Sequence, residues 1–84
     1  MVELEIKVEE NRVYIEDENH FLLGEVTFPN IDVNTVDINH TYVHESLRGQ
    51  GIGGKLLDKA MEVIKNSNRN YILTCSMAIK RFSK

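Results

Sequence analysis

Four glycines and two basic residues are concentrated in the segment LRGQGIGGKLL, which covers residues 47–57. These are four of the five glycines in a chain of 84 residues. Glycine loses more backbone entropy on folding than other residues and adds no side chain to a core, so the cluster needs a compensating reason. The segment lies between a strand-like and a helix-like stretch, where the N–H groups of a helix N-terminus bind phosphate. We therefore predict a phosphate-containing ligand.

One known motif that overlaps this segment is the dinucleotide-binding fingerprint. Gly49, Gly51 and Gly54 satisfy its pattern G-x-G-x-x-G. That fold also needs an acidic residue about twenty positions later, to bind the ribose hydroxyl. Arg69 and Asn70 stand there instead. The sequence therefore does not favour a dinucleotide.

Two other glycine-rich motifs remain. The P-loop pattern fails because Leu56 replaces the hydroxyl residue that would hold magnesium, and the predicted helix needs Leu56 on its buried face. The third pattern is Q/R-x-x-G-x-G/A, which Arg48, Gly51 and Gly53 satisfy between a strand and a helix. This third pattern is the one that fits its surroundings.

The periodicity of apolar residues predicts the elements that position the segment. Alternation predicts strands over residues 2–8, 12–16, 20–28, 34–43 and 71–75. Within the fourth strand, Val36, Ile38, His40 and Tyr42 would share one face. A helical period begins at residue 51 and runs to about residue 66. A short amphipathic helix over residues 76–84 would direct Ile79 and Phe82 inward.

The order of these elements predicts the topology. A strand, loop, helix and strand close a right-handed crossover, so the fourth and fifth strands would be parallel neighbours. The earlier strands would form an antiparallel meander. We therefore expect an α+β fold, a five-stranded mixed sheet with one long helix and a short C-terminal helix. The chain length of 84 residues suits a single domain over residues 1–84.

Composition narrows the partners and the compartment. The formal net charge of −3 argues against a nucleic-acid binder, which would carry a basic face. Since no apolar run reaches the roughly 18 residues of a membrane span and MVELEIKVEE is not a signal peptide, we expect a cytoplasmic protein without membrane partners. The single cysteine, Cys75, excludes an intrachain disulfide and a cysteine zinc site. The oligomeric state stays open.

The histidines indicate no metal site but one candidate base. On a strand His40 and His44 would lie about 13 Å apart, too far to share an ion. His40 stands among apolar residues, so it is either a hydrogen-bonded core histidine or a neutral base. Glu25, on the third strand, is a second candidate base.

The segment VHESLRGQGIGGKLL resembles the acetyl-CoA-binding motif of the GNAT acetyltransferase superfamily. The resemblance covers about residues 35–75, and the order of the preceding strands agrees with it. The combination of NHTYV, LRGQGIG and LTC is similar to small GNAT-like proteins with a minimal domain, which include bacterial proteins of the YjdJ type. This resemblance implies an acetyltransferase that uses acetyl-CoA and an amine, thiol or protein acceptor.

The resemblance also implies which residues bind coenzyme A. The amides of residues 50–54 would bind its pyrophosphate, Arg48 and Lys55 would add positive charge, and the main chain of the fourth strand would pair with the pantetheine arm. The implied cofactor-binding residues are Tyr42, Val43, Arg48, Gly49, Gln50, Gly51, Ile52, Gly53, Gly54 and Lys55.

In the smaller group the cysteine that ends the fifth strand is the proposed acetyl-accepting residue, which here is Cys75. The N-terminus of the following helix would lower the pKa of its thiol. The alternative is that Cys75 is a small buried hydrophobe. The chain lacks both the tyrosine that ordinary GNAT enzymes carry on the last helix and the helices that enclose their acceptor site. Two functions therefore stay open, an acetyltransferase with Cys75 and His40 as catalytic residues, and a CoA-binding or protein-interaction module without turnover.

Overall fold

A computed structural model describes residues 5–83, and the predicted α+β class is confirmed. The two helices are α1 (Ile52–Asn66) and α2 (Ser76–Phe82). The strands are β1 (Lys7–Val8), β2 (Arg12–Glu16), β3 (Leu22–Thr27), β4 (Thr35–Ile38), β5 (His40–Val43) and β6 (Asn70–Leu73), and a 3₁₀ turn (Glu45–Leu47) links β5 to α1. The first predicted strand begins at residue 2, so its first three residues lie outside the described part of the chain.

Strands β1, β2, β3 and β5 form an antiparallel sheet in that order. The alternation seen in the sequence places one face of β2 and β3 in the core, which α1 covers. The buried apolar residues are Val13, Ile15, Val26, Phe28, Val36, Ile38, Ile52, Leu56, Leu57, Ala60, Met61, Ile64 and Ala78. The opposite face of this sheet, which we call the open face, is polar.

The predicted fourth strand over residues 34–43 is divided at Asn39. Its first half, β4, pairs in parallel with β6, as the crossover predicts, while its second half, β5, pairs with β3. The Asn39 N–H donates to the Thr27 carbonyl (3.3 Å), and His40 is also opposite Thr27, so two residues face one in a β-bulge. The expected five-stranded sheet is therefore two sheets, of four and two strands, joined at this bulge.

The extra residue reverses the alternation of side chains beyond β4. Val36 and Ile38 are buried as predicted, but His40 is exposed. Thr41 takes the inward position instead, opposite the buried Val26 on the α1 side of the sheet. The interpretation of His40 as a core histidine is therefore wrong, because an apolar pattern with period two does not reveal a bulge.

The two helices pack against each other as well as on the sheets. The Arg81 guanidinium of α2 donates to both carboxylate oxygens of Asp58 on α1 (2.8 and 2.7 Å). Ala78 is the buried residue of α2 and Phe82 is half-buried, whereas Ile79, predicted to point inward, is 42% exposed. No helix within residues 5–83 is long and apolar enough to cross a lipid bilayer.

Deletion of Asn39 tests the importance of the bulge. Deletion would leave His40 alone opposite Thr27 with its side chain still on the open face, but it would remove the bend at which the strand passes from β6 to β3, so we expect a larger loss of stability to urea than in Asn39→Ala. Asn39→Ala keeps the extra residue and removes a hydrogen bond from the Thr27 hydroxyl (2.6 Å), which contributes about 1 kcal/mol to the free energy of unfolding. Equal stability of the two variants would contradict a structural role for the bulge.

Candidate active site

A cleft of about 420 Å³ opens between β5, the glycine-rich loop and α2. The cleft exists because β6 runs beside β4 and ends where β4 ends, so it does not continue along β5. The N–H groups of Thr74 and Cys75 both donate to the carbonyl of Ile38, the last residue of β4 (3.2 and 3.0 Å), and beyond this point β5 diverges. The residues that line the cleft are Thr41, Tyr42, Val43, Leu47, Arg48, Gly49, Gly51, Ile52, Gly53, Gly54 and Met77.

The cleft-facing edge of β5 carries main-chain groups that pair with no other strand within residues 5–83. The N–H of His44 donates to the carbonyl of Leu23 (2.7 Å), so by alternation the main-chain groups of Tyr42 also face β3. Those of Thr41 and Val43 face the cleft, where no strand of residues 5–83 pairs with them. The sequence predicted Tyr42 and Val43 as the main-chain pair, whereas the geometry gives Thr41 and Val43.

The glycine-rich loop presents the N-terminus of α1 to the same cleft. Gly49 and Gly51 have φ of 83° and 73°, in the left-handed region that favours glycine. Gly51 is the N-cap of α1 and has no side chain that could accept a hydrogen bond from the first turn. The N–H groups of Ile52, Gly53 and Gly54 therefore have no acceptor in the helix, and they lie at the positive end of its dipole.

Of the charged and polar residues Arg48, Gln50 and Lys55, only Arg48 lines the cleft. Arg48 lines the cleft, and its Nε donates weakly to the Val43 carbonyl (3.4 Å). Gln50 and Lys55 are exposed and lie outside the cleft lining. The structure thus brings eight of the ten predicted cofactor-binding residues to the cleft. His44 has a local role, since its Nδ1 accepts from the Ser46 N–H (3.1 Å) and caps the 3₁₀ turn.

Cys75 lies beside the cleft, as the N-cap of α2. Its Sγ is 3.3 Å from the hydroxyl oxygen of Thr41, which lines the cleft. Partial burial opposes ionisation of the thiol, but the Thr41 hydroxyl and the N–H groups of Ala78 and Met77 favour the thiolate, so the pKa of Cys75 is lowered. This arrangement makes Cys75 a candidate nucleophile.

The two candidate bases lie on the other side of the sheet. Thr41 is on the α1 side with Cys75, so its neighbour His40 is on the open face, opposite Thr27. The Glu25 carboxylate, also on the open face, accepts from Arg12 Nη1 (2.7 Å) and is committed to that ion pair. The structure therefore does not bring either base together with Cys75.

Sequence reasoning missed three residues of the cleft lining, Thr41, Leu47 and Met77. The alternating pattern predicts Thr41 on the outer face, and the bulge at Asn39, of which the pattern carries no signal, turns Thr41 inward. Met77 reaches the cleft through the packing of α2 against α1, for which the sequence carries no local signal.

This fold and cleft define an acyltransferase-like site, and comparison with known proteins identifies the family. The family model described as GCN5-related N-acetyl-transferase matches residues 12–84. A GCN5-like protein from Staphylococcus aureus, solved by NMR, is 44% identical, with 93% of this chain and 76% of that chain covered and a TM-score of 0.69. The chain therefore belongs to the GCN5-related N-acetyltransferase (GNAT) family and is by family an N-acetyltransferase.

More distant structures share the fold. A GNAT-family acetyltransferase from Staphylococcus aureus Mu50 is 24% identical, with 74% of this chain and 39% of that chain covered and a TM-score of 0.63. Glucosamine-6-phosphate N-acetyltransferase from Arabidopsis thaliana is also 24% identical, with 87% and 56% covered and a TM-score of 0.58. Among curated proteins none matches the chain. Members of the GNAT family generally use acetyl-CoA as acyl donor.

The pH dependence of alkylation tests the environment of Cys75. Iodoacetamide reacts with the thiolate, so its rate rises with pH through the pKa, and a lowered pKa moves this rise to lower pH. Followed by intact mass, the midpoint of the wild type should lie below that of an unstructured peptide that contains this cysteine, and the midpoint of Thr41→Val should be higher than that of the wild type. The matched control is Thr74→Val, because the Thr74 hydroxyl donates to Asp37 instead (2.7 Å). Equal midpoints in the wild type and Thr41→Val would contradict the assignment.

Proposed function

We propose that this protein transfers an acetyl group from acetyl-CoA to an amine by way of Cys75, and that residues 1–84 act as one cofactor-binding domain. The observation that supports this proposal most is the position of Thr41. Its side chain contacts the Cys75 sulfur, and its main chain lies on the unpaired edge of the cleft that the glycine-rich loop closes.

The cleft fits the chemistry of coenzyme A. The N–H groups of Ile52, Gly53 and Gly54 would bind the pyrophosphate, with positive charge from Arg48 beside them. Lys55 and Gln50, which are exposed, would contact the coenzyme only at the mouth of the site. The unpaired main-chain groups of β5 would pair with the amides of the pantetheine arm. The bound thioester supplies an activated acetyl group.

Cys75 would accept this acetyl group as a nucleophile. Its thiolate forms a bond to the acetyl carbonyl carbon, and the bond from that carbon to the coenzyme sulfur breaks with its electron pair on that sulfur. A neutral amine then attacks the acetylated Cys75, the amide forms, and the Cys75 thiolate is regenerated. The proton that the amine loses needs a base. Water in the open cleft takes this proton, because His40 lies on the opposite side of the sheet from Cys75.

An NMR titration with coenzyme A tests the binding step. We expect shifts in the amides of residues 48–55 and of Thr41 and Val43, and a loss of at least about tenfold in affinity for Gly51→Val, because valine disfavours a φ of 73°. Apart from its chain neighbours, no described residue has an atom within 4 Å of a Cβ at position 51, so the variant should fold. Gly51→Asn, which tolerates this φ, should retain more affinity. Absence of shifts at millimolar coenzyme A would contradict the proposal.

Mass spectrometry after incubation with acetyl-CoA tests the transfer step. We expect an added acetyl group on Cys75 in the wild type, its loss in Cys75→Ala with coenzyme A binding retained, and its removal when an acceptor amine is added. A wild type that binds acetyl-CoA without acetylation of Cys75 would refute the cysteine route. Direct transfer would then need turnover with an added amine, and without such turnover the protein is a CoA-binding module.

A further inference from the structure

Met77 separates the candidate active-site cleft from a second groove on the surface of α2. Its side chain lines the cleft together with Val43 and Gly53. On its other side it lines a groove of about 370 Å³, which we call the α2 groove and which is formed by Ser76, Met77, Ile79 and Lys80. One side chain therefore forms the boundary between two neighbouring cavities.

The inner side of Met77 fits closely against the first turn of α1. Its Cε lies 3.0 Å from the position that a Cβ on Gly53 would occupy, and Val43 Cγ2 lies 3.4 Å from it. Glycine weakens a helix by about 1 kcal/mol relative to alanine, so a glycine inside α1 needs a reason. Glycine at position 53 leaves room for the Met77 methyl group, which a Cβ there would displace by a few tenths of an ångström.

The outer side of Met77 is exposed to solvent. The residue is 45% exposed, and Ile79 on the same helix is 42% exposed, so the α2 groove has an apolar wall in contact with solvent. Methionine is unbranched and has three rotatable side-chain bonds, so it adapts to the shape of a neighbouring group. Rotation of this side chain would connect the cleft to the α2 groove.

We infer that Met77 sets the length of the acyl group that the protein accepts, and that the α2 groove binds the hydrocarbon of acyl-CoA thioesters longer than acetyl. This inference rests on the proposed function for the donor and for the position of the thioester beside Cys75, two residues before Met77. The transfer is unchanged: the Cys75 sulfur bonds to the acyl carbonyl carbon, and the coenzyme sulfur leaves with the electron pair.

Binding of a series of thioesters tests this inference without any dependence on turnover. Acetyl-, butyryl- and octanoyl-CoA are titrated into the Cys75→Ala protein by calorimetry, so that no acyl group is transferred. A fully buried methylene strengthens binding about fourfold. Since the α2 groove is open on one side, we expect butyryl-CoA, with two more methylenes than acetyl-CoA, to bind at least about threefold more tightly.

Variants of the dividing residue should move this preference in opposite directions. In the same background, Met77→Ala should raise the ratio of octanoyl-CoA to acetyl-CoA affinity about fivefold, and Met77→Phe, with a larger and stiffer side chain, should lower it below the parent value. Ile79→Ser should also lower it. Val33→Ala is the matched control, because Val33 is 90% exposed and lies outside the residues lining both cavities.

The possible outcomes are distinct. Opposite shifts for Met77→Ala and Met77→Phe, with no shift for Val33→Ala, support the inference. Equal affinities for the three thioesters, or ratios that Met77 and Ile79 variants leave unchanged, would overturn it while acetyl-CoA binding keeps the proposed function standing. Failure of all three thioesters to bind would overturn both. Amide spectra of each variant check that it is folded.

Discussion

The extra residue at position 39 determines how the rest of the molecule is arranged. Because Asn39 and His40 both face Thr27, the strand can pair with β6 before the bulge and with β3 after it, but not with both along its length. The cleft is the gap that this division leaves. The same residue turns Thr41 inward, so the side chain next to the Cys75 sulfur and the unpaired strand edge depend on one irregularity. Main-chain groups on such an edge must find a partner in water or in a ligand.

The N-terminus of α1, which forms the other wall of the cleft, is less stable locally than a well-capped helix would be. The glycine N-cap Gly51 costs roughly a few tenths of a kcal/mol relative to serine or aspartate, and Gly53 and Gly54 in the first turn of α1 each cost up to about 1 kcal/mol relative to alanine. Packing offsets part of this loss, because the guanidinium of Arg81 comes within 2.7 Å of where a Cβ of Gly54 would be while it pairs with Asp58. Places where a sequence departs from locally favourable choices are often functional, and here these departures surround one cleft.

Several features could be predicted because they depend on local pattern. The period of Ile52, Leu56 and Ile64 gives α1, and the order of elements gives the parallel pairing of β4 with β6. The bulge could not be predicted, because the pattern of residues 34–43 continues past Asn39 without a visible break. Its consequences, the exposure of His40 and the contact of Thr41 with Cys75, were therefore hidden. The short helix α2 offered several apolar residues, and only tertiary packing selects Ala78 over Ile79 for burial.

The central claim is that the pantetheine arm of coenzyme A lies along the inward side of β5, in the gap that the bulge creates. Intermolecular nuclear Overhauser effects between bound coenzyme A and methyl-labelled protein test this claim most directly. Our account predicts contacts from the pantetheine methylene protons to the methyl groups of Thr41 and Val43. Contacts confined to the open face, such as to the rings of Tyr14 and His40, would contradict it.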